Sequence, residues 1–84
     1  MNFEYFPRGV CSRRINFTIE DGKLHNVRFT DGCNGNTKGL GALLEGMDAR
    51  DAMERLQGIR CGMKSTSCPD QLSKALEEAL KKMA

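Results

Sequence analysis

Apolar and polar residues alternate at Phe3 and Tyr5, stop at Pro7 and Gly9, and alternate again at Ile15, Phe17 and Ile19. A period of two predicts strands. The alternation breaks at Asp21-Gly22 and resumes at Val27 and Phe29, which predicts a β-hairpin with Asp-Gly as its turn. The following string, TDGCNGNTKGLG, carries four glycines and two asparagines. It suits a tight loop, so no regular element is predicted before Lys38.

From Lys38 the spacing changes to that of a helix, with Leu40, Leu43, Leu44 and Met47 on one stripe and Gly39 and Gly41 weakening it. Asp48 is placed to cap a second helix, with Asp51 in its first turn and Ala49, Ala52, Met53 and Leu56 on its apolar face; Gly58 ends it. A last helix is predicted from Cys68 to Met83. Its stripe is Leu72, Ala75, Leu76, Ala79, Leu80 and Met83, and Glu77–Lys81 and Glu78–Lys82 are expected to pair on the wet side.

Strands first and helices second predict an α+β fold: a three-stranded antiparallel sheet followed by about three helices packed on one face. The last helix should dock through Leu72, Leu76 and Leu80. Residues 1–84 are read as a single domain. A chain of 84 residues buries a small core that often needs a metal, a disulfide or a partner, and it cannot itself hold a radical-generating barrel or a two-lobed nucleotide enzyme.

Charge adds little. Thirteen basic and eleven acidic residues are interleaved, for a net charge of +2, and aromatic residues are not interleaved with a basic face, so neither pattern points to nucleic acid. The N-terminal stretch MNFEYFPRGV lacks a basic run followed by an apolar one, and no segment is apolar for long enough to span a bilayer. The expectation is a soluble, cytoplasmic protein.

The four cysteines change the picture. In a reducing compartment they do not read as a disulfide framework, which leaves metal binding, redox work or burial. Cys11 lies before the hairpin, Cys33 just after it, Cys61 between helices, and Cys68 at a helix start; none falls clearly inside an apolar stripe. That placement favours a shared site. Four thiolates suit tetrahedral zinc or an iron–sulfur cluster, although the spacing has no pair of C-x-x-C knuckles. Cys61 and Cys68 are close enough in sequence to be weighed as a redox pair.

Around Cys68 the string KSTSCPDQL spans residues 64–72. Ser67 is a good N-cap, Pro69 fits the first turn, and Asp70 complements the positive helix end. These explain a helix start but not its cysteine. A cysteine there lies near unpaired N–H groups, which favour the thiolate form that binds metals and attacks disulfides. The single histidine, His25, reads as a solvated residue just past the turn, and GNTKG lacks the spacing of a phosphate loop.

The string Thr66-Ser67-Cys68-Pro69-Asp70, with FTDGCNGNTKGLGALLEGM and LQGIRCGMKSTSCPDQLSKAL, resembles the TSCPD-domain family across nearly the whole chain. Such domains occur as small stand-alone proteins and as modules of adenosylcobalamin-dependent ribonucleotide reductases. The resemblance implies a module accessory to ribonucleotide reduction, with a reductase subunit as partner. The placement of the cysteines adds the expectation of one metal site with Cys11, Cys33, Cys61 and Cys68 as ligands, zinc being favoured over an iron–sulfur cluster because nothing in the chain looks built to release or reduce a cluster.

A second resemblance is to NifU/IscU-type iron–sulfur scaffolds. Cys11, Cys33 in DGCNG and Cys68 before PDQLSKALEEAL fall where such scaffolds place their cluster cysteines, which implies a NifU/SufE-like fold. Arg13 and Ser67 replace the scaffold's aspartate and histidine, and Cys61 is additional. Those departures imply a closed, all-thiolate site rather than cluster release. A dithiol electron-transfer component of a reductase remains the third alternative.

Overall fold

Both residues of the Asp21-Gly22 turn have left-handed backbones, with φ of 52° and 74°. That is the conformation in which a two-residue loop matches the twist of the strands it joins. A computed structural model describes residues 1–10, 12–31, 34–60, 62 and 66–83, with backbone alone for 34–36. The turn connects β2 (Arg14–Glu20) to β3 (Lys23–Thr30), and β1 (Asn2–Tyr5) lies on the other side of β2. Both pairings are antiparallel, with Phe3 opposite Phe17 and Ile15 opposite Phe29.

The strands are followed by α1 (Asn34–Leu44), α2 (Ala49–Leu56) and α3 (Cys68–Met83). This is the predicted α+β order. Along β2, Ile15, Phe17 and Ile19 are buried while Asn16 and Thr18 are half-buried on the opposite face. The inner residues join Leu24, Leu44, Ala49, Ala52, Leu56, Leu72, Ala75, Leu76 and Ala79 in one core. Leu72 and Leu76 are fully enclosed and Leu80 packs at the margin. The α3 helix therefore docks through the expected leucines, whereas Met83, at the end of the predicted stripe, is 43 % exposed.

Several elements differ from the sequence reading. Helix α1 begins at Asn34 rather than at Lys38, so part of the expected glycine loop is helical. Tertiary packing against β3 offsets its poor intrinsic propensity. The helix ends at Leu44, Met47 lies in the following connection, and Leu43 is 78 % exposed rather than part of the core stripe. On α3 the Glu77–Lys81 ion pair forms at 3.3 Å, but the expected Glu78–Lys82 pair does not. Such exposed pairs are optional, because each gains little over hydration.

Gly41 is the device that lets α1 approach the sheet. A Cβ built there would lie 2.8 Å from the Val27 carbonyl oxygen, whereas one at Gly39 would meet nothing within 4 Å. The two glycines should therefore respond oppositely to alanine. Gly39→Ala is expected to stabilise by about 0.5–1 kcal/mol through helix propensity. Gly41→Ala, which must push backbone against backbone, should destabilise by about 1–3 kcal/mol. Paired thermal melts check both signs, and equal shifts would refute the close approach.

The α1–α2 connection is stitched to the hairpin. Leu24 N–H donates to the Met47 carbonyl (2.8 Å), Gly46 N–H to the Leu24 carbonyl (2.7 Å) and Ala49 N–H to the Gly22 carbonyl (2.9 Å). Asp48 caps α2 as expected, accepting from the Asp51 N–H at 2.9 Å. Gly58, with φ of 81°, follows α2 in the left-handed conformation. Its N–H is thereby free to turn towards the start of α3.

Candidate functional site

Helix α3 opens with Ser67 as its cap: the Ser67 hydroxyl accepts from the Asp70 N–H (3.2 Å) and donates to the Ile59 carbonyl (2.6 Å). One short side chain thus ties the helix start to the loop after α2. Asp70 reinforces that tie from one turn into the helix. Its carboxylate accepts from the Thr66 hydroxyl and from the Gly58 N–H, the latter at 2.8 Å, with Lys74 Nζ 3.7 Å away. These contacts, led by the Thr66 hydrogen bond and then that of Gly58, hold the Asp70 carboxyl below the usual carboxylate range against the opposing effect of its burial.

The network extends to the loop after β1. Gln71 donates its amide to the Thr66 hydroxyl oxygen (3.0 Å), and its own carbonyl oxygen accepts the Arg8 N–H (3.1 Å). Thr66, Ser67, Asp70 and Gln71 are all buried. Among the described residues no buried side-chain nitrogen or oxygen lacks a partner, which is what burial of polar groups at this density requires.

Cys68, the first residue of α3, is half-buried and not in a disulfide. Its Sγ lies 3.1 Å from the hydroxyl of Ser12, a residue 3 % exposed. Next to Ser12, the Arg13 N–H donates to the Thr30 carbonyl (2.8 Å), and the Arg13 side chain meets Asp31 at 3.3 Å. The start of α3 therefore gathers the segment following β1, the segment following α2 and, through Arg13, the end of β3.

Of the predicted site residues, Cys68 is in this junction, while Cys11, Cys33 and Cys61 lie outside the described residues. Among the described residues no group of three or more His, Cys, Asp or Glu side chains is arranged to hold a metal. His25, just past the turn, remains partly solvated but is paired, which the sequence does not suggest. It is half-buried, with Nδ1 2.6 Å from Glu45 Oε2, beside a β-bulge at which Glu45 also accepts the Asn26 N–H (2.9 Å). Asn26 has φ of 53°, the left-handed conformation that asparagine tolerates and the bulge needs. The Asn26 hydrogen bond first, and His25 second, hold the Glu45 carboxyl below its usual range.

Ser12, Thr66, Gln71 and Gly58 are the site residues that sequence reasoning misses. Thr66 is four residues before Asp70, a spacing that could have suggested the pair. Nothing in a one-dimensional pattern points to Ser12 or Gly58.

Fold and junction define a class: a small α+β domain whose last helix starts on a half-buried cysteine beside a buried polar network. The family model for the TSCPD domain matches residues 1–80, and the chain belongs to that family. No curated protein and no solved structure matches it. No helix among the described residues is long and apolar enough to cross a membrane.

Proposed function

We propose that the protein is a metal-binding module in which Cys11, Cys33, Cys61 and Cys68 share one ion. The observation that supports this reading is that two described segments meet the start of α3: Ser12, next to Cys11 in sequence, at Cys68, and Ile59, two residues before Cys61, at Ser67. Four soft thiolates fit zinc or iron–sulfur chemistry, and zinc is favoured because nothing in the sequence looks built to release or reduce a cluster.

The scaffold alternative asks for a labile ligand set. Ser67, at the position of the scaffold's histidine, is already engaged on both sides as a cap, which supports a closed site. The partner in this reading is a protein of the ribonucleotide-reducing system, such as a reductase subunit, in the cytoplasm, with neither nucleic acid nor membrane as the target. Reaction chemistry, if any, belongs to that partner.

Elemental analysis together with ultraviolet–visible spectra of anaerobically purified protein tests the reading. Zinc without visible absorption is expected. Sulfur-to-iron charge-transfer bands and bound iron point instead to the cluster scaffold. Metal-free protein with a reversible Cys61–Cys68 disulfide points to the dithiol electron carrier.

A further inference from the structure

We propose that Ser12 is the positioning residue for Cys68, its hydroxyl holding the sulfur in the orientation that metal binding requires; this inference rests on the metal-site reading above. Ser12 is 3 % exposed, and its oxygen lies 3.1 Å from Cys68 Sγ across 56 residues of sequence. It is held on both sides of the contact. The Arg13 N–H bonded to Thr30 fixes the adjacent backbone, and Cys68 stands on the capped first turn of α3.

In the metal-free thiol, either Ser12 or Cys68 can be the donor. A metal-bound sulfur carries no proton, so there the hydroxyl must donate and the sulfur accept. The contact then has a single direction and removes one of the orientations open to the thiolate. Partners of this kind, one bond outside the ligand shell, are worth about 10- to 100-fold in metal affinity.

The test uses the full chain with Co²⁺ as a spectroscopic probe and Zn²⁺ in competition with a chelator. Ser12→Ala and Ser12→Val remove the hydroxyl, one leaving space and the other adding a methyl; Ser12→Thr keeps it. Circular dichroism selects the variants that fold. Loss of the hydroxyl should weaken binding by about 10- to 100-fold and alter the thiolate-to-cobalt charge-transfer band. Ser12→Thr should stay within a few-fold of wild type with an unaltered band.

Wild-type affinity and band in any folded variant without the hydroxyl would overturn the proposal, as would an equal loss in Ser12→Thr, since side-chain volume would then be the cause. A wild-type protein that binds neither ion overturns the metal-site reading itself. That outcome is distinct from a failure confined to Ser12.

Discussion

Cys68→Ser is expected to abolish metal binding and to lower the melting temperature of the metal-loaded protein while changing that of the metal-free one far less. The contrast follows from how α3 begins. Its start is made by the Ser67 cap, Asp70 and the contacts to Ile59, Gly58 and Thr66, none of which uses the sulfur. Replacing sulfur by oxygen nearly preserves size and leaves a hydroxyl that can still pair with Ser12, so the metal-free fold should change by no more than about 1 kcal/mol, the contribution of one ordinary hydrogen bond.

Structural zinc, by comparison, supplies an apparent free energy of roughly 10–16 kcal/mol in zinc-finger peptides near neutral pH. Removing one of four thiolates forfeits most of such a contribution. Metal content and melting curves of both forms, beside wild type, provide the check. Unchanged metal content and unchanged melting would make Cys68 no more than a residue in a capped first turn.

Asp70→Asn should be the most damaging isosteric change in the metal-free protein. Thr66 accepts from Gln71 through its hydroxyl oxygen, so its single hydrogen is directed to Asp70, and the second carboxylate oxygen receives the Gly58 N–H. Both carboxylate oxygens are acceptors, whereas an amide offers one acceptor and one pair of donors. Either Thr66 or Gly58 then faces another donor in a buried position. Hydrogen bonds to charged groups contribute about 1.5–3 kcal/mol, and the favourable charge at the helix start is lost as well. A loss of about 2–3 kcal/mol corresponds to roughly 8–24 °C in melting temperature for a domain of this size.

The same carboxylate makes stability depend on acid. Its folded-state pKa lies below the ordinary value, so below that ordinary value the unfolded chain takes up the proton first. The contribution of Asp70 is complete above the usual carboxylate range and is lost as pH falls through its depressed folded value. Urea titrations of metal-free protein should show wild type and Asp70→Asn converging as pH is lowered through that window. A gap that stays constant with pH would mean that the carboxylate's charge is not what holds the junction.

What the sequence by itself determined is what short-range geometry dictates. The period of two set Ile15, Phe17 and Ile19 on one face, the Asp21-Gly22 dipeptide set a turn with two left-handed residues, Asp48 and Ser67 set helix starts, and helical spacing set the α3 stripe on Leu72, Leu76 and Leu80. Each of those features depends on residues no more than about one or two turns apart, where backbone sterics and local hydrogen bonds act. The TSCPD string was legible for the same reason, and it carried the family.

Tertiary structure decided the rest. Helix α1 begins four residues earlier than its spacing suggests because β3 supports it, and Gly41 permits that contact instead of merely weakening a helix. His25 pairs with Glu45, 20 residues away, at a bulge that no alternation pattern announces. At the start of α3 the Gly58, Ser12 and Arg8 contacts bridge 12, 56 and 63 residues of chain. A buried polar group must find a partner wherever the fold brings one, and sequence spacing carries no record of partners that meet only after the chain has closed on itself.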